Sequence, residues 1–88
     1  MERLITAILI EDDSQARSML QKFLEIDEEV LVVASLENTL NAEDIVLKIN
    51  PDVVFLDIHL PYESGIKFAT RLRETGNKTL LVFTTAFQ

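Results

Sequence analysis

Eighty-eight residues make one small domain at most, and a chain this size buries only ~60–65% of its unfolded surface, so its core must be efficient. Apolar residues are 48% of the chain against two prolines and two glycines, which excludes disorder as a global description. The absence of cysteine excludes a disulfide framework, a thiolate nucleophile and a Cys-ligated zinc site, and the net charge of −7 argues against nucleic acid as a direct ligand while favouring basic partners or bound cations.

The first predicted element is Ile5-Thr6-Ala7-Ile8-Leu9-Ile10, a near-continuous apolar run that stops at Glu11-Asp12-Asp13. Such a run fits a strand buried on both faces, as in a parallel sheet. It ends without a small-residue cleavage site, and no apolar stretch is long enough for a membrane span, so a soluble cytoplasmic protein is expected. Ala16, Met19, Leu20, Phe23 and Leu24 then follow helical spacing, with Asp13 or Ser14 as the N-cap. The acidic stretch 25–29 closes that helix as a solvated loop. Val30–Ala34 reads as a second buried strand.

Ala42, Ile45, Val46 and Ile49 form a second helical stripe, stopped by Asn50-Pro51 because the residue before proline is pushed out of the α region. Val53–Leu56 is a third strand ending at Asp57. Ile66, Phe68, Ala69 and Leu72 predict a third helix, closed near Gly76-Asn77. Leu80–Phe83 is the fourth strand. The alternation βαβαβαβ implies right-handed crossovers and a mostly parallel sheet with helices on its faces. Phe23, Phe55, Phe68 and Phe83 are expected in the core, while Arg71 and Arg73 read as surface charges and Tyr62 as an exposed loop residue. A fourth strand with no helix after it leaves an apolar edge. Either further chain or a partner, a second copy included, is expected to cover it.

Ligands of open parallel sheets bind beyond the carboxyl ends of the strands. Glu11, Asp12 and Asp13 fall at the end of the first strand, Asp57 at the end of the third, and Thr84-Thr85 at the end of the fourth. If the first strand lies between the second and third, Asp12 and Asp57 become neighbours. Converging carboxylates repel unless a cation neutralises them, and hard oxygen donors without His or Cys partners suit Mg²⁺. The plainer reading is that these acids are solvated strand-end residues that partly cap the first helix. His59 has no second His or Cys to complete a softer site.

Ile8-Leu9-Ile10-Glu11-Asp12-Asp13 with Arg17, the segment from Pro51 through Asp57 to Pro61 and Gly65, and Leu81–Ala86 together resemble a response-regulator receiver domain of two-component systems. The wording of residues 51–61 and 82–87 leans towards the LytTR type. The resemblance implies a flavodoxin-like three-layer α/β fold with sheet order 2-1-3-4, spanning 1–88 as a receiver domain that is incomplete at its C-terminus. It implies that Asp57 is the phospho-acceptor, taking its phosphoryl group from a sensor histidine kinase. Glu11, Asp12 and Asp57, with the backbone carbonyl of His59, would hold Mg²⁺. Thr85 would be the switch hydroxyl, with the small Ala86 beside it. By the same resemblance Arg17 would set the register of the acidic pair as Glu11-Asp12, leaving Asp13 as a helix cap or as a further acid behind the pair.

The family's fourth helix, fifth strand and fifth helix do not occur in these 88 residues, nor does the lysine that ends that strand. Lys78 precedes the fourth strand and falls on the far side of the sheet. Any catalysis would be limited to self-catalysed phosphotransfer and autodephosphorylation. An alternative is a receiver-like interaction module working without phosphate. An aspartate-based hydrolase is a third reading, disfavoured because the first strand ends Glu-Asp-Asp where such enzymes need D-x-D.

Overall fold

The computed structural model describes residues 3–84. Seven elements alternate in the expected order: β1 (Ile5–Ile10), α1 (Ser14–Glu25), β2 (Val30–Leu36), α2 (Ala42–Ile49), β3 (Val53–Asp57), α3 (Gly65–Glu74) and β4 (Leu80–Thr84). All strand pairs are parallel and the sheet order is β2-β1-β3-β4. β1 is therefore interior, which accounts for its unbroken apolar run: Ala7, Ile8, Leu9 and Ile10 are at most 1% exposed. A bulge after Ala7 skips Val33 in the pairing with β2.

The chain steps one way from β1 to β2, then back across to β3 and on to β4. With right-handed crossovers, that path puts α1 on one face and α2 with α3 on the other. The second face carries the core. Ile8, Ile10, Val54 and Leu56 point there by strand alternation and meet Ala42 and Val46 of α2 and Phe68 and Leu72 of α3.

On the first face α1 lies over β1 and β2. The stripe it presents is narrower than its apolar spacing suggests. Ala16, Leu20 and Leu24 are half-buried beside Arg17 and Gln21, whereas Met19 and Phe23 are 71% and 70% exposed. Phe23 therefore does not join the core, contrary to expectation, because it stands at the margin of the stripe. Phe55 is only half-buried because it lies on β3, beyond the strands that α1 covers, and Phe83 is exposed on the other face, on β4 at the edge of the described sheet. Of the four phenylalanines expected inside, Phe68 alone is fully buried.

Local chemistry sets the element ends. The Asp13 carboxylate accepts from the amides of Gln15 (2.9 Å) and Ala16 (3.3 Å), making it the N-cap of α1. Ser64 caps α3 by accepting from the Lys67 amide at 3.1 Å. α2 stops at Asn50, whose left-handed backbone (φ 54°) lets its amide reach the Val46 carbonyl while escaping the clash with Pro51. At the amino edge of the sheet β1 and β3 are latched together. The Asp52 carboxylate accepts from the Thr6 amide (2.8 Å) and hydroxyl (3.1 Å) and from Arg3. In return, the Asp52 amide donates to the Thr6 carbonyl at 3.0 Å. The Thr6 amide, followed by Arg3, holds the Asp52 carboxyl below the usual aspartate range.

Candidate functional site

The carboxyl edge of the sheet gathers the acids that the sequence distributes over two strand ends. Glu11 follows β1 directly and Asp57 is the last residue of β3, the strand beside it. One carboxylate oxygen each from Glu11, Asp12 and Asp57 lie within 4.8 Å of one another. Glu11 and Asp57 are buried while Asp12 is exposed, so the group forms a lip with a dry floor and a wet rim.

Glu11 is held by its surroundings. Its amide donates to the Leu36 carbonyl (2.9 Å), its carbonyl accepts from Arg17 Nη1 (2.7 Å), and its Oε2 accepts from the Asp13 amide (3.0 Å). Burial raises the Glu11 carboxyl above its ordinary range, and neighbouring Asp12 and Asp57 push it further the same way; the Asp13 amide opposes them. Three crowded acids, with one already driven towards protonation, are what a divalent cation would relieve. An all-oxygen donor set suits Mg²⁺ or a similarly hard ion. Asp13, engaged as the cap of α1, does not belong to the cluster among the described residues.

The loop after β3 is folded tightly against Asp57. The His59 amide donates to Asp57 Oδ1 at 3.2 Å, and the Gly65 amide donates to the Ile58 carbonyl at 2.7 Å. A Cβ on residue 65 would lie 2.2 Å from the Asp57 carbonyl oxygen, so only glycine fits there. The His59 side chain is exposed and its imidazole is not part of the acidic group. Thr84 is the register partner of Asp57 across β3 and β4. Thr85, the expected switch hydroxyl, and Ala86 lie outside the described residues. Lys78 precedes β4 at the amino edge, opposite the acids.

Arg71 departs from its reading as a plain surface charge. Its Nη1 and Nη2 donate to Glu63 Oε2 and Oε1 at 2.5 and 2.8 Å, and its Nε donates to Glu43 Oε1 at 2.8 Å. The guanidinium lies 5.4 Å from the Phe68 ring centroid. Arg71 holds the Glu63 carboxyl below its usual range, and the two glutamates raise the Arg71 guanidinium in turn. Glu63 stands eight positions from Arg71 and Glu43 twenty-eight, so no helical spacing announces these pairs.

Among the described residues no helix is long and apolar enough to cross a membrane. A family model for the response regulator receiver domain matches residues 7–88. A response regulatory protein of Vibrio cholerae is 40% identical over 88 residues, which cover 99% of this chain and 34% of that protein. The sensory transduction protein LytT of Oceanobacillus iheyensis is 31% identical over 86 residues, covering 96% of this chain and 35% of LytT. The chain thus spans about a third of the length of these curated relatives. The signal receiver domain of the response regulator NarL from Mycobacterium tuberculosis superposes with a TM-score of 0.91 at 21% identity, covering 99% of this chain and 70% of that one, and shares the flavodoxin-like fold. Because the family match runs through both acid-bearing strand ends that the 2-1-3-4 sheet brings together, the chain belongs to the response regulator receiver domains of two-component systems.

Proposed function

We propose that the chain is a phosphoryl-accepting switch in which Asp57 takes a phosphoryl group from a phosphohistidine of a sensor kinase. The supporting observation is the convergence of Glu11, Asp12 and Asp57 oxygens within 4.8 Å at the carboxyl edge of a receiver sheet. An Asp57 carboxylate oxygen attacks phosphorus, the P–N bond to the imidazole breaks, and the nitrogen leaves with its electron pair. The product is an acyl phosphate. Such transfers depend on in-line positioning and on neutralising oxygen charge more than on acid or base chemistry. Glu11, Asp12, Asp57 and the His59 carbonyl would hold Mg²⁺, which supplies charge neutralisation at the phosphoryl oxygens. The His59 amide, already directed at Asp57, is placed to donate to the same oxygens. Thr85 is the hydroxyl that would turn inwards once the phosphoryl group, about −2 in charge, is in place.

The likeness to LytT, a sensory transduction protein, favours a LytTR-type regulator; in this proposal the chain serves regulation of transcription and acts in the cytoplasm. This segment, at −7, makes no direct contact with nucleic acid in that reading, and a homodimer or covering partner meets the β4 edge, where Leu80 and Phe83 are exposed.

Intact mass spectrometry after incubation of the full chain with Mg²⁺ and a small-molecule phosphodonor tests the assignment. One Mg²⁺-dependent phosphoryl adduct is expected, absent in Asp57→Asn. An adduct that persists in Asp57→Asn would refute it.

A further inference from the structure

The loop between β3 and α3 is strained and, besides the His59–Asp57 and Gly65–Ile58 hydrogen bonds, is fastened by an arginine of α3. Tyr62 has φ 76°, in the left-handed region that an aromatic residue rarely adopts. Its side chain is 74% exposed, so burial of the ring does not hold it there. The next residue, Glu63, is gripped in bidentate fashion by Arg71, the strongest geometry available to a carboxylate and a guanidinium. The same guanidinium reaches Glu43 on α2 and lies over the fully buried Phe68. One side chain thus fastens the loop to α3, to α2 and to the core. Isolated surface ion pairs contribute little. This one differs in being two-pronged, shared between two acids, and next to the strained residue it restrains.

We propose that Arg71 is a positioning residue for the acidic site. By holding Glu63 it keeps residues 58–64 in the conformation that sets the His59 backbone beside Asp57. This rests on the reading of Glu11, Asp12, Asp57 and the His59 carbonyl as a Mg²⁺ and phosphoryl site. Arg71 touches none of these groups and acts through the loop.

The test is calorimetric titration of Mg²⁺ into the full chain, paired with amide hydrogen exchange of His59 and Gly65 in the absence of metal. Arg71→Met keeps a long side chain beside Phe68 and removes the fork. Its Mg²⁺ dissociation constant should rise about 10-fold, the usual scale for losing an outer support of a metal site. Exchange at His59 should accelerate. Phosphorylation by a small phosphodonor should need correspondingly more Mg²⁺, with the shortfall in rate closing as Mg²⁺ saturates. Glu63→Gln should act in the same direction and decides the matter if Arg71→Met does not fold. Glu43→Gln spares the Arg71–Glu63 fork and should shift Mg²⁺ affinity less than either. Folded Arg71→Met or Glu63→Gln with Mg²⁺ affinity and His59 exchange matching the parent would overturn the proposal. If the parent itself binds no Mg²⁺, the reading of the site fails instead, and His59 exchange alone decides whether Arg71 positions the loop: faster exchange in the variants upholds it, unchanged exchange rejects it.

Discussion

At residue 65 a methyl group would lie 2.2 Å from the Asp57 carbonyl oxygen, and the atom it would meet is backbone that cannot swing aside. Gly65→Ala should therefore cost about 1–3 kcal/mol by overpacking. For a domain of this size each kcal/mol lowers the melting temperature by roughly 4–8 °C, so thermal unfolding followed by circular dichroism would register it. A substitution at the neighbouring acid should do the reverse. Asp57 is one of the charges that push the Glu11 carboxyl upwards, so removing it relieves crowding. In the absence of divalent ions, Asp57→Asn should stabilise the fold by about 1–4 kcal/mol, the range of a like-charge contact at ~4 Å between full water screening and the weaker screening near a protein surface. A melting temperature at or below that of the parent would show that the acids are not crowded in solution.

The strands are the most legible elements, because each is an apolar run, cut off by an acid in β1 and β3 and by a hydroxyl residue in β2 and β4; the structure carries β2 on to Leu36 and β4 on to Thr84. The α1 cap was legible to within one position, Asp13 or Ser14, and the structure selects Asp13. Helix faces were less so. Periodicity records which residues of α1 are apolar, but how many meet the sheet depends on how far one helix extends over two strands. Phe68 and Phe23 therefore look alike in sequence and differ in burial. Phe68→Ala should cost about 3–5 kcal/mol, whereas Phe23→Ala should stay within about 0.5 kcal/mol; urea unfolding of both variants makes the comparison. The gathering of Glu11, Asp12 and Asp57 depended on strand order, which no local pattern contains; it came from the resemblance to receivers. The Arg71 network was illegible for a related reason, since its partners sit on a loop and on another helix.

Across the whole molecule, the titrating groups pull stability in opposite directions. The Glu11 carboxyl is raised above 4.5, so the folded state holds its proton more tightly than the unfolded chain does. Its contribution is complete below 4.5 and is lost as pH rises through the raised value. Glu63 and Asp52 are lowered from 4.5 and 3.8, so their contributions are present above those values and fade as pH falls through the lowered ones. Without divalent ions, thermal stability should peak in mildly acidic solution and decline from there towards neutrality. Added Mg²⁺ should flatten that decline; a scan from pH 3 to 8, with and without the ion, about one pH unit per step, measures both limbs. The Thr6–Asp52 latch bears on the acids from the opposite edge. Glu11 follows Thr6 by five positions and Asp57 follows Asp52 by five, so β1 and β3 run as two arms of equal length from a common hinge pin. Deleting one residue from either arm would offset the two carboxylates by about 3.3 Å and, in β3, turn the aspartate to the other side of the sheet. The calliper is thus calibrated roughly 16 Å from its jaws, and an indel between pin and tip would leave every acid present in the chain with no common place to meet.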